Sequence, residues 1–242
     1  MVKGEGVLAG VEVAKAVFLR VDPSLQIEVL IQDGAKVLKK DMVATIDGKV
    51  SSILRGERVA LNFLQHLSGI ATETARYVEA VGGLGARIMD TRKTVPGLRG
   101  LEKYAVRMGG GYNHRMNLGD DILIKDNHIT ALRSEGIGLG EAIFRAHATN
   151  PNLKVEVEVG NFEEAREALD AGADIIMLDN MGIDEMRSVV EMTKGRALLE
   201  ASGGVNLDNV RSVAETGVDL ISVGALTHSA MALDISLELE PY

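Results

Sequence analysis

Between Arg87 and Val223 six short apolar runs each end in residues able to do chemistry. In chain order the run ends carry Thr91-Arg92-Lys93-Thr94, Lys125-Asp126-Asn127-His128, Glu158, Asp179-Asn180, Ser202-Gly203-Gly204, and Gly224-Ala225 followed by His228. Arg92 and Arg115 have the planar fork that grips carboxylates through paired hydrogen bonds, whereas Lys93 and Lys125 are point charges suited to phosphates. His114, next to Arg115, enlarges this cationic set. A glycine pair lets the backbone approach an anion, and a helix following Gly203-Gly204 would aim free N–H groups at it, with Gly224 closing the same cradle. Glu158 and Asp179 suit Mg²⁺ shared with substrate oxygens, sugar hydroxyls, or a general-base role. His128 and His228 read first as structural hydrogen-bonding groups. The competing reading of the cations is internal, as partners for Glu156, Glu158 and Asp179. Together these residues describe an enzyme acting on a small molecule that bears both phosphate and carboxylate.

Groups at the ends of successive runs need a fold that brings the ends together. The runs are Arg87–Asp90, Ile122–Ile124, Val155–Val159, Ile175–Leu178, Ala197–Leu199 and Leu220–Val223, with 20 residues from Val157 to Met177, 22 from Met177 to Leu199 and 22 from Leu199 to Ile221. Each interval fits one helix and two loops, so six βα units and a parallel sheet are expected. In Lys154–Val159 the three valines share one face and Glu156 and Glu158 the other. An open sheet covered on both faces wants apolar strands throughout, so this alternation favours a barrel with valines outward and glutamates inward, held by nearby cations. Asn161 with Glu164 reads as a helix start, and Gly217 as the end of a helix carrying Leu207, Val210, Val213 and Ala214. Gly109-Gly110-Gly111 is expected to be a mobile or ligand-shaped loop.

The first 56 residues read differently. Gln26–Ile31, Met42–Ile46 and Lys49–Leu54 are strand-like runs separated by Asp33-Gly34 and Asp47-Gly48 turns. A long helix is expected from Arg58 to about Val81, because apolar residues recur at three- and four-residue steps from Leu61 to Val78.

Composition excludes several classes. The chain has 242 residues, no cysteine and a net charge of −9, which argues against disulfides, thiolate metal sites and general nucleic-acid binding. Its longest uncharged stretch, Leu220–Leu233, is 14 residues, short of a membrane span. The start does not read as a signal peptide, and a cytoplasmic location is expected.

The motifs also resemble a known family. Gly56-Glu57-Arg58 leading into Leu61–Gln65 and Leu67–Thr72, Asp90–Thr94 with Pro96-Gly97, Asn113-His114-Arg115, and Leu123–His128 closely resemble the quinolinate phosphoribosyltransferases, the carboxylating nicotinate-nucleotide pyrophosphorylases. Val155–Val159, Leu178-Asp179-Asn180, Ser202-Gly203-Gly204 and Ser222–His228 continue the match through essentially the whole chain. The resemblance implies an α/β fold, an incomplete parallel βα barrel with a smaller N-terminal β-rich (α+β) domain. Residues 1–56, joined by a C-terminal tail over 229–242, would form the small domain, and residues 57–228 the long helix and catalytic barrel.

The implied reaction joins quinolinate to phosphoribosyl pyrophosphate with Mg²⁺, giving nicotinate mononucleotide, pyrophosphate and CO₂ on the route to NAD. By resemblance Arg92, His114 and Arg115 bind the quinolinate carboxylates, with Thr91 in the same substrate-binding motif. Lys93 and Lys125 lie close to both substrates, and with Glu158 and Asp179, the ribose and Mg²⁺ carboxylates, they form the catalytic set. Ser202, Gly203, Gly204, Gly224 and His228 line the phosphate end. Arg58 resembles the arginine lent to a neighbouring subunit, which implies a homodimer or a higher assembly of dimers. The family usually has some tens of residues ahead of the segment matched by Val2–Gly6, including an acidic stretch that helps build the dimer. Without them the dimer, and the sharing of Arg58, are expected to weaken. A same-fold paralogue associated with molybdenum transport shares the Arg-Lys-Thr and Lys-Asp-Asn-His motifs and is the alternative; Arg58 and the His114-Arg115 pair favour quinolinate.

Overall fold

The computed structural model describes residues 1–240. They fall into two compact units, one made of residues 1–78, 93–113 and those from 224 on, the other of residues 79–92 and 114–223.

In the first unit β1 (Gly6–Val7) pairs antiparallel with β3 (Lys36–Val37), and β2 (Gln26–Val29) with β4 (Ala44–Asp47). Helices α1 (Val11–Val21) and α2 (Val50–Ala80) supply much of the core: Phe18, Ile53, Ala60, Leu61 and Leu64 pack with Leu8, Leu25, Val37 and Val43. Two expectations change here. The module is less β than its composition reads, because the valine-rich segment Val11–Val21 is a helix. Lys49–Leu54 is not a strand either; Gly48 turns the chain at φ 145° and α2 starts at Val50. Ile53 then enters the core seven and eight positions ahead of Ala60 and Leu61, and burial at helical spacing outweighs the strand preference of an aliphatic run.

Helix α3 (Arg99–Met108) ends on the glycine triplet, which is packed rather than mobile. Gly109 and Gly111 are buried. A Cβ on Gly109 would strike the Ala71 carbonyl oxygen, and one on Gly111 would come within 2.7 Å of Thr74 Cγ2. These glycines therefore serve close approach to α2, not freedom of the loop. Buried Glu102 of α3 accepts the Val95 N–H (3.0 Å) and faces His66 Nε2 (2.8 Å), fixing the segment after Lys93. Glu102→Ala is expected to lower unfolding stability by about 1–3 kcal/mol, read from the urea midpoint, because both partners lose a buried acceptor.

The chain's end lies along its beginning. Leu233 N–H donates to the Gln65 carbonyl (3.0 Å), the Gln65 side chain to the Ile235 carbonyl (2.7 Å), and Lys3 N–H to the Asp234 carbonyl (2.8 Å). Lys3 and Glu238 add an ion pair. Of the tail expected over 229–242, Pro241 and Tyr242 lie outside the described residues.

The second unit is built on six parallel strands: β5 (Arg87–Met89), β6 (Ile122–Ile124), β7 (Val155–Val159), β8 (Ile175–Asp179), β9 (Leu198–Ser202) and β10 (Leu220–Ser222). Their order, β5-β10-β9-β8-β7-β6, puts two sequence neighbours at opposite edges, a barrel-like sheet that stays open between them among the described residues. The connections are α4 (Asp126–Ser134) and α5 (Leu139–Thr149), α6 (Phe162–Asp170), α7 (Ile183–Thr193) and α8 (Val210–Ala214). Asn161 caps α6 by accepting the Glu164 N–H (2.9 Å), as its sequence indicates. A four-residue helix of the first unit, α9 (Ala225–His228), follows β10 in sequence.

Register decides what shares a face. Glu158 is level with Met177, Met177 with Glu200, and Asp179 with Ser202. Side chains alternate, so Glu156, Glu158, Asp179, Glu200 and Ser202 point to one face and Val155, Val157, Val159, Ile176 and Leu178 to the other. Helices α5 and α6 pack on β7, and α6 on β8. The expected arrangement, valines toward helices and glutamates inward on a strand flanked on both sides, is the one observed.

Candidate active site

On the inner face of the second unit, Lys125 Nζ lies 3.3 Å from Glu158 Oε2, with side-chain exposures of 45% and 13%. Lys125 stands just before α4, and its N–H donates to His128 Nδ1 (3.0 Å), so His128 is the structural group its sequence suggested. Asp179, one strand over, accepts from Asn180 Nδ2 (2.8 Å). Glu158 and Asp179 are hard oxygen donors at adjacent strand ends, a pair that fits Mg²⁺ taking its other ligands from water and substrate oxygens.

His114 is held on several sides. Its main-chain N–H donates to buried Asp90 (2.8 Å), and its Nε2 lies 3.2 Å from Glu156 and 3.5 Å from Glu200, each carboxylate residue 1% exposed. Burial opposes a charge on the ring, but the hydrogen bonds and charges of Glu156 and Glu200 outweigh it and push His114 up to about 10. The Arg115 N–H donates to Nδ1 (2.9 Å), which favours a ring bare at that nitrogen. That bond uses Nδ1 as an acceptor, so the glutamates at Nε2 and the Arg115 N–H at Nδ1 pull the ring in opposite directions. Arg115 is 8% exposed, and burial first, then the Arg92 charge, pulls its pKa below the usual guanidinium value. Burial pushes Glu156 upward, and the Glu200 charge adds to it while His114 opposes. The internal reading of the cations thus holds for His114 and Lys125, which pair with inward glutamates.

At the end of β9, Gly203 and Gly204 have φ of +89° and +63°. The helix expected after them, carrying Leu207, Val210, Val213 and Ala214, is shorter: α8 starts only at Val210, after a turn that holds Leu207 and in which Asn209 Nδ2 donates to the Gly204 carbonyl (3.0 Å). Any anion contact here comes from the glycine loop's own amides, not from a helix start. A Cβ on Gly203 would strike Asn180. Gly203→Ala is therefore expected to cost about 1–3 kcal/mol of stability and to weaken inorganic pyrophosphate binding, read by urea unfolding and calorimetry.

In the first unit Lys93, Gly224 and His228 come together. A Cβ on Gly224 would lie 3.1 Å from His228 Nε2 and 3.2 Å from Lys93 Cδ, so a side chain there would crowd both. The Thr227 hydroxyl donates to the Lys93 carbonyl (2.7 Å), and His228 Nδ1 meets Ser229 Oγ (2.6 Å). Lys93 is exposed, and Arg58 is exposed on α2. Thr91 and Arg92, half-buried, directly follow β5 and Asp90 in the second unit. Sequence reasoning missed Asp90 and Glu200 as members of this constellation. The available signal was Glu200 itself, a carboxylate inside the strand Leu198-Leu199-Glu200-Ala201-Ser202.

The chain matches the family models "Quinolinate phosphoribosyl transferase, N-terminal domain" over residues 1–68 and "Quinolinate phosphoribosyl transferase, C-terminal domain" over residues 70–238. A probable nicotinate-nucleotide pyrophosphorylase [carboxylating] of Synechocystis sp. is 45% identical over 240 residues, 98% of this chain and 80% of that protein. A mitochondrial quinolinate phosphoribosyltransferase [decarboxylating] of Nicotiana tabacum is 42% identical over 255 residues, 99% of this chain and 72% of that protein. Among solved structures, NadC from Streptococcus pyogenes superposes with a TM-score of 0.91 at 47% identity, covering 96% of this chain and 81% of that one. The nicotinate-nucleotide pyrophosphorylase of Ehrlichia chaffeensis gives 0.94 at 39% identity, covering 99% and 86%. This chain belongs to the quinolinate phosphoribosyltransferase family.

Proposed function

We propose that this chain joins quinolinate to phosphoribosyl pyrophosphate and releases pyrophosphate and CO₂, leaving nicotinate mononucleotide for NAD synthesis. The observation that carries the reading is the pair of half-buried His114 and buried Arg115, with Arg92 acting on it, in the sheet unit that also holds Glu158, Asp179 and the glycine loop. A dicarboxylate and a polyphosphate repel each other, and only local positive charge in an acidic chain brings them together. The relatives named above give no support to the molybdenum-transport reading, which is set aside.

The pyridine nitrogen lone pair forms the bond to the ribose carbon as the bond to pyrophosphate breaks, its electrons leaving on the pyrophosphate oxygen. The ring nitrogen, now cationic, draws in the electrons of the bond to the 2-carboxylate; CO₂ departs and the ring carbon takes up a proton. No protein nucleophile is required, so placement and electrostatics supply the rate. Arg92, His114 and Arg115, with Thr91 beside them, hold the carboxylates in this reading. Lys93 and Lys125 stabilise charge developing on the reacting groups. Glu158 and Asp179 hold the ribose and Mg²⁺, which when bound screens the pyrophosphate charge. Ser202, Gly203, Gly204, Gly224 and His228 meet phosphate.

Arg58 is assigned to the site of a partner subunit, in a homodimer or a higher assembly of dimers. No helix among the described residues is long and apolar enough to cross a membrane. A cytoplasmic location suits substrates too highly charged to cross a bilayer unaided. The test is conversion of quinolinate, phosphoribosyl pyrophosphate and Mg²⁺ to nicotinate mononucleotide, pyrophosphate and CO₂ in equal amounts. Equal turnover of nicotinate would contradict it.

A further inference from the structure

Asn180 stands between two groups of the candidate site. It follows Asp179 at the end of β8 and holds φ +55°, a left-handed backbone that L-residues avoid and glycine adopts at no steric cost. Among the described residues the other non-glycines with positive φ are Lys40 and Lys194, and neither follows a strand that carries the site. The Asn180 main-chain N–H donates to the Ser202 carbonyl (2.9 Å), and its Nδ2 donates to Asp179 Oδ2 (2.8 Å). The same side-chain amide lies against Gly203, where an added Cβ would strike it. Asn180 is itself exposed, so burial does not account for it. A solvent-exposed hydrogen bond is readily exchanged for one to water, and glycine would relieve the backbone. Fold stability therefore leaves the asparagine unexplained, whereas its three neighbours, Asp179, Ser202 and Gly203, all belong to the site.

We propose that Asn180 is a positioning residue that locks the glycine loop to Asp179, so that the loop's amides and the carboxylate meet phosphoribosyl pyrophosphate in one fixed arrangement. The inference rests on the reading of Asp179 as a ribose and Mg²⁺ carboxylate and of Ser202–Gly204 as phosphate-binding. The lock has two sides. On one, the amide engages a single oxygen of Asp179, which fixes the rotation of the carboxylate and leaves the second oxygen to accept from a ligand. On the other, the amide fills the space beside Gly203, whose φ of +89° belongs to a residue with many conformations open to it. Asparagine meets both needs, because its short side chain carries a donor and tolerates the left-handed region. Beyond Gly203 the Gly204 carbonyl accepts from Asn209 Nδ2 (3.0 Å), so the loop is tied at both ends. A loop ordered in advance spares the ligand the cost of ordering it.

The test compares wild type with Asn180→Gly, which removes the amide and relaxes the backbone. Its urea midpoint should not fall below that of wild type. Calorimetry with phosphoribosyl pyrophosphate, in the absence of Mg²⁺ and quinolinate, should show affinity lower by about tenfold, as for a lost hydrogen bond to a charged group. Quinolinate binding alone should stay within about twofold, and in turnover only the KM for phosphoribosyl pyrophosphate should rise. Asn180→Ala, which leaves the loop stiffer than glycine does, should lose as much affinity. Gly203→Ala should lower the urea midpoint about half as much in the Asn180→Gly background as in wild type, because only its own φ strain remains. In an Asp179→Ala background the Asn180→Gly loss should shrink to about threefold or less, since one side of the lock is already gone.

Unchanged phosphoribosyl pyrophosphate affinity in Asn180→Gly, an equal loss for quinolinate, or full affinity in Asn180→Ala would overturn the proposal. So would a Gly203→Ala penalty of the same size in both backgrounds. An undiminished loss in the Asp179→Ala background would also overturn it, making Asn180 a direct ligand. Wild type that binds no phosphoribosyl pyrophosphate would refute the phosphate reading instead, while the Gly203→Ala cycle, measured by unfolding without ligand, still judges the lock.

Discussion

Lys125→Ala should lower kcat about 10²–10³-fold, the range found when one preorganised donor to developing charge is removed. The ammonium is placed by its position ahead of α4 and by the 3.3 Å contact with Glu158, on the face that carries the other charged groups. Its half-exposed head leaves it free to exchange Glu158 for a substrate oxygen. Truncation removes that charge and leaves Glu158 without its neighbour, so both carboxylate and substrate lose. Lys125→Arg keeps the charge but spreads it over a planar fork, and should recover only part of the loss. Steady-state rates for the two variants check this; unchanged turnover in Lys125→Ala would remove Lys125 from the mechanism.

The double change Glu158→Gln with Asp179→Asn should cut kcat/KM for phosphoribosyl pyrophosphate by about 10²-fold or more, because two charged oxygen donors become neutral. The Mg²⁺ concentration for half-maximal rate should rise in parallel. Glu158 is next to last in β7 and Asp179 ends adjacent β8, and the replacements keep side-chain shape, so the sheet should survive; unfolding curves check that. Rates measured across a Mg²⁺ series at fixed phosphoribosyl pyrophosphate decide the matter. An unshifted Mg²⁺ dependence would move the metal elsewhere.

What the sequence made legible was periodic or local. The Val155–Val159 alternation indicated inward glutamates, and five of the six strand ends, including those of the strands carrying Glu158 and Asp179, fall within a residue of the apolar run that marked them. The apolar run Ala197–Leu199 stops before Glu200, which the structure places inside β9. Burial in that case is compensated by a histidine far away in sequence, which no local pattern records. The same limit hid the start of α2, where Lys49–Leu54 reads as strand until the shared core with Phe18 and Leu25 decides, and it left α1 unmarked. Gly109-Gly110-Gly111 reads as flexible, but at Gly109 and Gly111 the glycines make room for α2, through the Ala71 carbonyl and the Thr74 side chain. Gly203-Gly204 showed where the chain turns, not that α8 would be delayed to Val210.

The most direct measurement of the proposed reaction follows carbon through one turnover. Quinolinate labelled in its 2-carboxyl should release all of its label as CO₂, only when phosphoribosyl pyrophosphate is present and in step with pyrophosphate. Label in the 3-carboxyl should remain in the mononucleotide. Release of CO₂ without phosphoribosyl pyrophosphate, or a mononucleotide retaining both labels, would contradict ribosyl transfer to quinolinate followed by loss of the 2-carboxyl.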